Sequence, residues 1–104
     1  SDRTLGATYT TYFWTVPMVS VQYVDSFLRD ARRFPGDVRT LLLQQVDRFC
    51  DNPNDPRLRA KRLHGRLSGA WSFRVTRNYR VLYRSIADRA FVLLAIDDRK
   101  DVYR

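Results

Sequence analysis

The chain has 104 residues, 44% hydrophobic and 13% aromatic, with 19 Lys and Arg against 11 acidic side chains and a formal net charge of +8. That length accommodates one domain, and the apolar share excludes wholesale disorder. A single cysteine, Cys50, excludes an internal disulfide and a cysteine zinc cluster, and no apolar run nears the roughly 20 residues of a membrane helix, so a basic cytoplasmic domain with no membrane segment is expected.

Residues 9–16, Tyr-Thr-Thr-Tyr-Phe-Trp-Thr-Val, have the β-branched and aromatic make-up of an extra strand, held by a sheet edge or a neighbouring chain. Met18 directly precedes the regular pattern, so residues 1–17 read as an upstream extension or a cloning remnant and residues 18–104 as the domain. Residues 19–24 predict a short strand. Asp25 or Ser26 then caps a helix with Phe27, Leu28, Ala31 and Phe34 on one face, and Pro35-Gly36 stops it. A second helix begins near Asp37, with Val38, Leu41, Leu42, Gln45 and Phe49 on one stripe and Val46 adjacent, and ends before Asp51-Asn-Pro-Asn-Asp-Pro56. The stripe is core, so the two helices form a hairpin with one buried face. Beyond the turn signals of Leu63-His-Gly-Arg-Leu-Ser-Gly69, residues 71–76, 79–86 and 91–96 predict three strands of a meander.

Charge is segregated along the chain. Residues 1–56 carry 6 basic and 7 acidic side chains, whereas residues 57–104 carry 13 and 4. No acid lies between Arg57 and Ala87, where Arg57, Arg59, Lys61, Arg62, Arg66, Arg74, Arg77, Arg80 and Arg84 all occur. This is a polyanion-binding composition, and 17 of the 19 cations are arginine, whose planar fork suits phosphate. A two-residue loop at Arg77-Asn78 would mix core and charge on one sheet face. A three-residue loop of Thr76, Arg77 and a left-handed Asn78 instead pairs Val75 with Tyr79, Phe73 with Val81 and Trp71 with Tyr83. The other face then gathers Ser72, Arg74, Arg80, Leu82 and Arg84. Like charges so close repel, which favours an anion site over solvated arginines.

The sequence shows no P-loop, Rossmann glycine pattern, metal-ligand cluster or Ser-His-Asp set. No cofactor or metal is implied. Chemistry that needs only positioning and cationic charge remains, and RNA cleavage by its own 2′-hydroxyl is of that kind.

Four motifs carry a resemblance that runs from about Val19 to Arg104. They are Phe27-Leu-Arg-Asp-Ala-Arg-Arg-Phe34, Arg62-Leu-His-Gly-Arg-Leu-Ser-Gly-Ala-Trp71, Asn78-Tyr-Arg-Val-Leu-Tyr-Arg84 and Asp98-Arg-Lys-Asp-Val-Tyr-Arg104. In this order they resemble the RelE/ParE superfamily of bacterial toxin-antitoxin modules. The resemblance implies an α+β fold, with an N-terminal helical hairpin packed on one face of a small, mostly antiparallel sheet and a basic, concave face opposite. It also implies a ribosome-dependent mRNA interferase that cuts the codon in the decoding site. On its motifs, Arg80 matches the transition-state arginine, and Arg74, Arg99 and Tyr103 complete the catalytic set. Lys61 is expected to bind phosphate, as are Arg62, Arg66, Arg77, Arg84 and Lys100.

One position departs from the pattern. Many relatives have Gly-His-Arg where this chain has Asp97-Asp98-Arg99, so Asp98 stands at the usual histidine. Asp98 and His64 are the candidate acid-base groups, set against a turn or an arginine salt bridge for the two aspartates and a structural loop role for His64. The implied partners are a cognate antitoxin with an acidic or amphipathic segment, the ribosome and mRNA, and operator DNA reached through the antitoxin. The alternatives are a ParE-like inhibitor of DNA gyrase that is not a nuclease, and a catalytically silent member that binds only RNA or its antitoxin.

Overall fold

The computed structural model describes residues 10–12 and 19–98, with side chains from Val19 onward. In chain order these form β1 (Thr10–Tyr12), β2 (Ser20–Tyr23), α1 (Asp25–Arg32), α2 (Gly36–Asp51), β3 (Lys61–Arg62), β4 (Trp71–Arg74), β5 (Tyr79–Ala87) and β6 (Ala90–Asp98). Short 3-10 turns occupy Pro56–Leu58 and Gly65–Leu67. The α+β class expected from the sequence is the class observed. No helix among the described residues is long and apolar enough to cross a membrane.

The strands form one mixed sheet in the order β1-β2-β6-β5-β4-β3. β2 runs parallel to β6, and the remaining pairs are antiparallel. The parallel pair follows from the helices: α1 and α2 lie between β2 and the meander, and a crossover through helices is the usual way to bring two strands side by side in the same direction. Part of the expected extra strand is present as β1, with Thr10 opposite Tyr23 and Tyr12 opposite Val21.

α2 buries Leu42, Gln45, Val46, Phe49 and Cys50, an i, i+3, i+4, i+7, i+8 stripe. Leu41 was expected on that stripe but is 41% exposed, because the buried arc is centred between Leu42 and Val46 and leaves Leu41 on its flank. The α2 stripe meets Val21, Phe73, Val81, Tyr83 and Leu93 from the sheet. Phe49 is the hub, with ring centroids 5.0 Å from Phe73, 4.7 Å from Tyr83 and 5.0 Å from Phe91. Beside it, burial pushes the Cys50 thiol up to about 11, with Asp47 and Asp51 adding to the shift, so the thiol is protonated at neutral pH.

Neither expected cap holds at the start of α1. The N-cap is Val24, without a side-chain bond, and the Ser26 hydroxyl instead donates to the Leu94 carbonyl of β6 at 2.7 Å. One turn later the Asp30 carboxylate accepts the Ile96 N–H at 3.0 Å. These two bonds bracket an irregularity in β6: Tyr83 pairs with Leu93 but Leu82 pairs with Ala95, so Leu94 is an extra residue. A bulge of this kind turns every following side chain onto the opposite face.

Candidate functional site

The β4–β5 hairpin has the register that the alternation predicts. Trp71 lies opposite Tyr83, Phe73 opposite Val81 and Arg74 opposite Arg80. The loop is closed by the Val75 and Thr76 N–H groups, which donate to the Tyr79 carbonyl at 2.9 and 3.2 Å. The left-handed Asn78 is not observed, since the positive-φ non-glycine residues of the described chain are Arg59 and Arg89. Thr76 removes the need for it: its Oγ1 accepts the N–H groups of Asn78 and Tyr79, each at 3.2 Å.

Opposed residues share a sheet face, so the pairings lay out the surface away from the helices as rows. One row runs Lys61, Ser72, Leu82, Ala95, and the next runs Arg74, Arg80, Asp97. The two rows are two residues apart, about 7 Å along the strand. Arg84 sits on the same face opposite Val92, about 13 Å along β5 from Arg80.

Each arginine is held differently. Arg74 Nε donates to the Thr76 carbonyl at 3.3 Å, two residues on toward the hairpin loop. Arg80 engages Asp97: Nε and Nη2 both lie 3.0 Å from Asp97 Oδ2, with the two side chains 20% and 26% exposed. The Arg84 head lies over Gly69, which stands at φ +92°, and a Cβ built there would come 2.9 Å from Arg84 Nη1. Only a residue without a side chain leaves that space and accepts that backbone.

From beneath, the row is tied to α2 by a buried amide. Gln45 Nε2 donates to the Arg74 carbonyl at 2.6 Å and to the Arg57 carbonyl at 3.2 Å, and Gln45 Oε1 accepts from Arg48 Nη1. Gln45 thus joins the core stripe to the start of the basic segment at Arg57 and to β4 at Arg74.

Not every predicted residue meets on this face. Arg62 pairs with Trp71 on the opposite side, its guanidinium carbon 5.6 Å from the Trp71 ring centroid, a cation-π contact. Arg66 and His64 are exposed in the turn before β4, and Arg77 is exposed in the hairpin loop. Asp98 pairs with Tyr79 and shares its helix-side face, where Tyr79 packs on Phe34 at 4.6 Å between ring centroids. Arg99, Lys100 and Tyr103 lie outside the described residues. The arginine salt bridge that the sequence offers for the two aspartates is present at Asp97, with Arg80 as its partner, although which face it takes depends on the bulge. Gly69 was not singled out as a contributor, and its signal is that of a glycine closing a turn beside a run of cations.

No protein-family model matches the sequence, and no curated protein matches it. Solved structures do. The chain resembles the toxin-antitoxin complex RelBE2 from Mycobacterium tuberculosis with 27% identity and a TM-score of 0.64, over 81% of this chain and 100% of the other. The archaeal RelE-RelB complex from Pyrococcus horikoshii matches with 18% identity and a TM-score of 0.65, over 79% and 96%. The YoeB/ParE toxin from Agrobacterium tumefaciens matches with 18% identity and a TM-score of 0.63, over 75% and 95%. The latter two likenesses are of fold.

Proposed function

We propose that this chain, which belongs to the RelE/ParE superfamily, is the toxin of a toxin-antitoxin module and an endoribonuclease that cuts ribosome-bound mRNA. The observation that carries this reading is the cross-strand pairing of Arg74 with Arg80 on the sheet face away from the helices. Two like charges set opposite each other weaken a sheet, and a bound anion offsets the part of that cost that the Arg80–Asp97 ion pair leaves.

In the proposed reaction the 2′-oxygen attacks the adjacent phosphorus, the bond from phosphorus to the 5′-oxygen breaks, and the products end in a 2′,3′-cyclic phosphate and a 5′-hydroxyl. Arg80 stabilises the charge that grows on the phosphorane oxygens, and Arg74 fixes the phosphate from the neighbouring strand. Lys61, in the next row, and Arg84 hold flanking phosphates. Arg99 contacts phosphate, and Tyr103 stacks on a base or carries a proton, by the superfamily resemblance alone. The partner is an antitoxin whose acidic or amphipathic segment covers the arginine face. Support for that partner comes from neighbours solved as toxin-antitoxin complexes.

The test is cell-free translation with purified protein added, mapping mRNA 5′ ends with and without ribosomes. Ribosome-dependent cuts inside the decoding-site codon are expected, and Arg80→Ala should slow them by about two to three orders of magnitude. Intact mRNA at high protein concentration would overturn the nuclease reading. Inhibition of DNA supercoiling by gyrase would then establish the ParE-like alternative.

A further inference from the structure

Arg80 already has a carboxylate partner. Asp97 Oδ2 lies 3.0 Å from both Nε and Nη2, the edge of the guanidinium that a phosphate would grip with two oxygens. The two side chains are only 20% and 26% exposed, so their attraction is screened less than that of a surface pair. The placement is also built into the backbone. Were Leu94 paired regularly instead of bulged, the alternation of β6 would put Asp97 on the helix side and Asp98 among the arginines. Ser26 and Asp30 bind the Leu94 carbonyl and the Ile96 N–H on either side of that bulge.

We infer that Asp97 is a specificity-determining residue that occupies the phosphate edge of Arg80, so that RNA must displace its carboxylate in order to bind. The inference rests on the reading of the arginine face as an RNA site. Its physical effect is selective rejection. A loose polyanion that offers one phosphate to Arg80 meets a rival already seated and a like charge beside it, whereas an RNA fixed at several points has other contacts to drive the exchange. Asp97 therefore weakens promiscuous binding more than binding of a positioned strand.

The test measures binding of a short fluorescein-labelled single-stranded RNA by anisotropy across a salt series. It uses the full chain, Asp97→Asn, Arg80→Ala, the double variant, and Asp88→Asn, which removes an exposed acid from the β5–β6 turn. Asp97→Asn is expected to tighten binding about three- to tenfold. It should also steepen the slope of log K against log salt by about 0.7, one additional phosphate contact on a single strand. The gain should exceed that of Asp88→Asn and should shrink when Arg80→Ala is already present. Equal gains from Asp97→Asn and Asp88→Asn, or equal gains with and without Arg80, would reduce Asp97 to a general charge and overturn the inference. The two readings fail separately: if Arg80→Ala leaves RNA affinity unchanged the RNA site itself is wrong, and if Arg80→Ala weakens binding while Asp97→Asn leaves it unchanged, only the competitor is wrong.

Discussion

Phe49 shows how a single side chain can organise both layers. It is fully buried, reaches from α2 to rings on β4, β5 and β6, and has aromatic geometries both stacked and edge-on. Phe49→Ala should therefore cost about 3–5 kcal/mol, read as a lower midpoint in urea with an unchanged slope. A second residue-scale effect is electrostatic. Asp55 accepts the Arg57 side chain at 2.7 Å and the Arg57 backbone N–H at 2.9 Å, and these bonds hold its carboxyl down to about 2. An unfolded Asp titrates near 3.9, so the pair's stabilisation is fully present above about pH 4 and is lost as pH falls toward 2. An NMR titration of the Asp55 carboxyl should find its midpoint near 2, and Arg57→Ala should return it toward the ordinary value.

Among the elements, some features were readable in the sequence and others were not. The hairpin register was legible because only one loop length keeps Trp71, Phe73, Val75, Val81 and Tyr83 on one side, and burial enforces that choice. The β6 bulge was not legible. Residues 91–96 are apolar throughout, so alternation carries no phase there, and the information sits instead in Ser26 and Asp30 of a distant helix. Sequence rules read Ser26 as helix-start chemistry and give Asp30 no role, whereas the fold uses both to satisfy backbone groups next to the bulge. Asp30→Ala removes a charged acceptor from a part-buried N–H and should cost about 1–2 kcal/mol. Hydrogen exchange locates the effect: the Ile96 amide should lose protection beyond the global change in stability, and an unaltered Ile96 rate would remove Asp30 from the bulge.

For the whole molecule, the segregation of charge along the sequence becomes a separation in space, though an incomplete one. The meander turns the basic second half into strands, and alternation sends Arg74, Arg80 and Arg84 to the surface away from the helices. Arg62, expected to bind phosphate with the rest of the basic run, stands opposite Trp71 and so lies on the other side. The likeness to solved toxin structures is chiefly three-dimensional, with TM-scores of 0.63–0.65 at identities of 18–27%.

The strand order has a further consequence, for the time course of folding. β6 is the seam of the sheet, bonded to β2 on one side and β5 on the other, yet among the described strands it comes last in the chain. The β4–β5 hairpin closes locally and early, whereas β2 must wait for a partner that joins Ser20 to Ala90 across almost the whole described chain. In vectorial synthesis, the strands bearing Arg74 and Arg80 therefore exist before the strand bearing Asp97. The newborn hairpin presents its cations uncompensated, and the arrival of the seam strand both joins the two parts of the sheet and supplies the counter-charge.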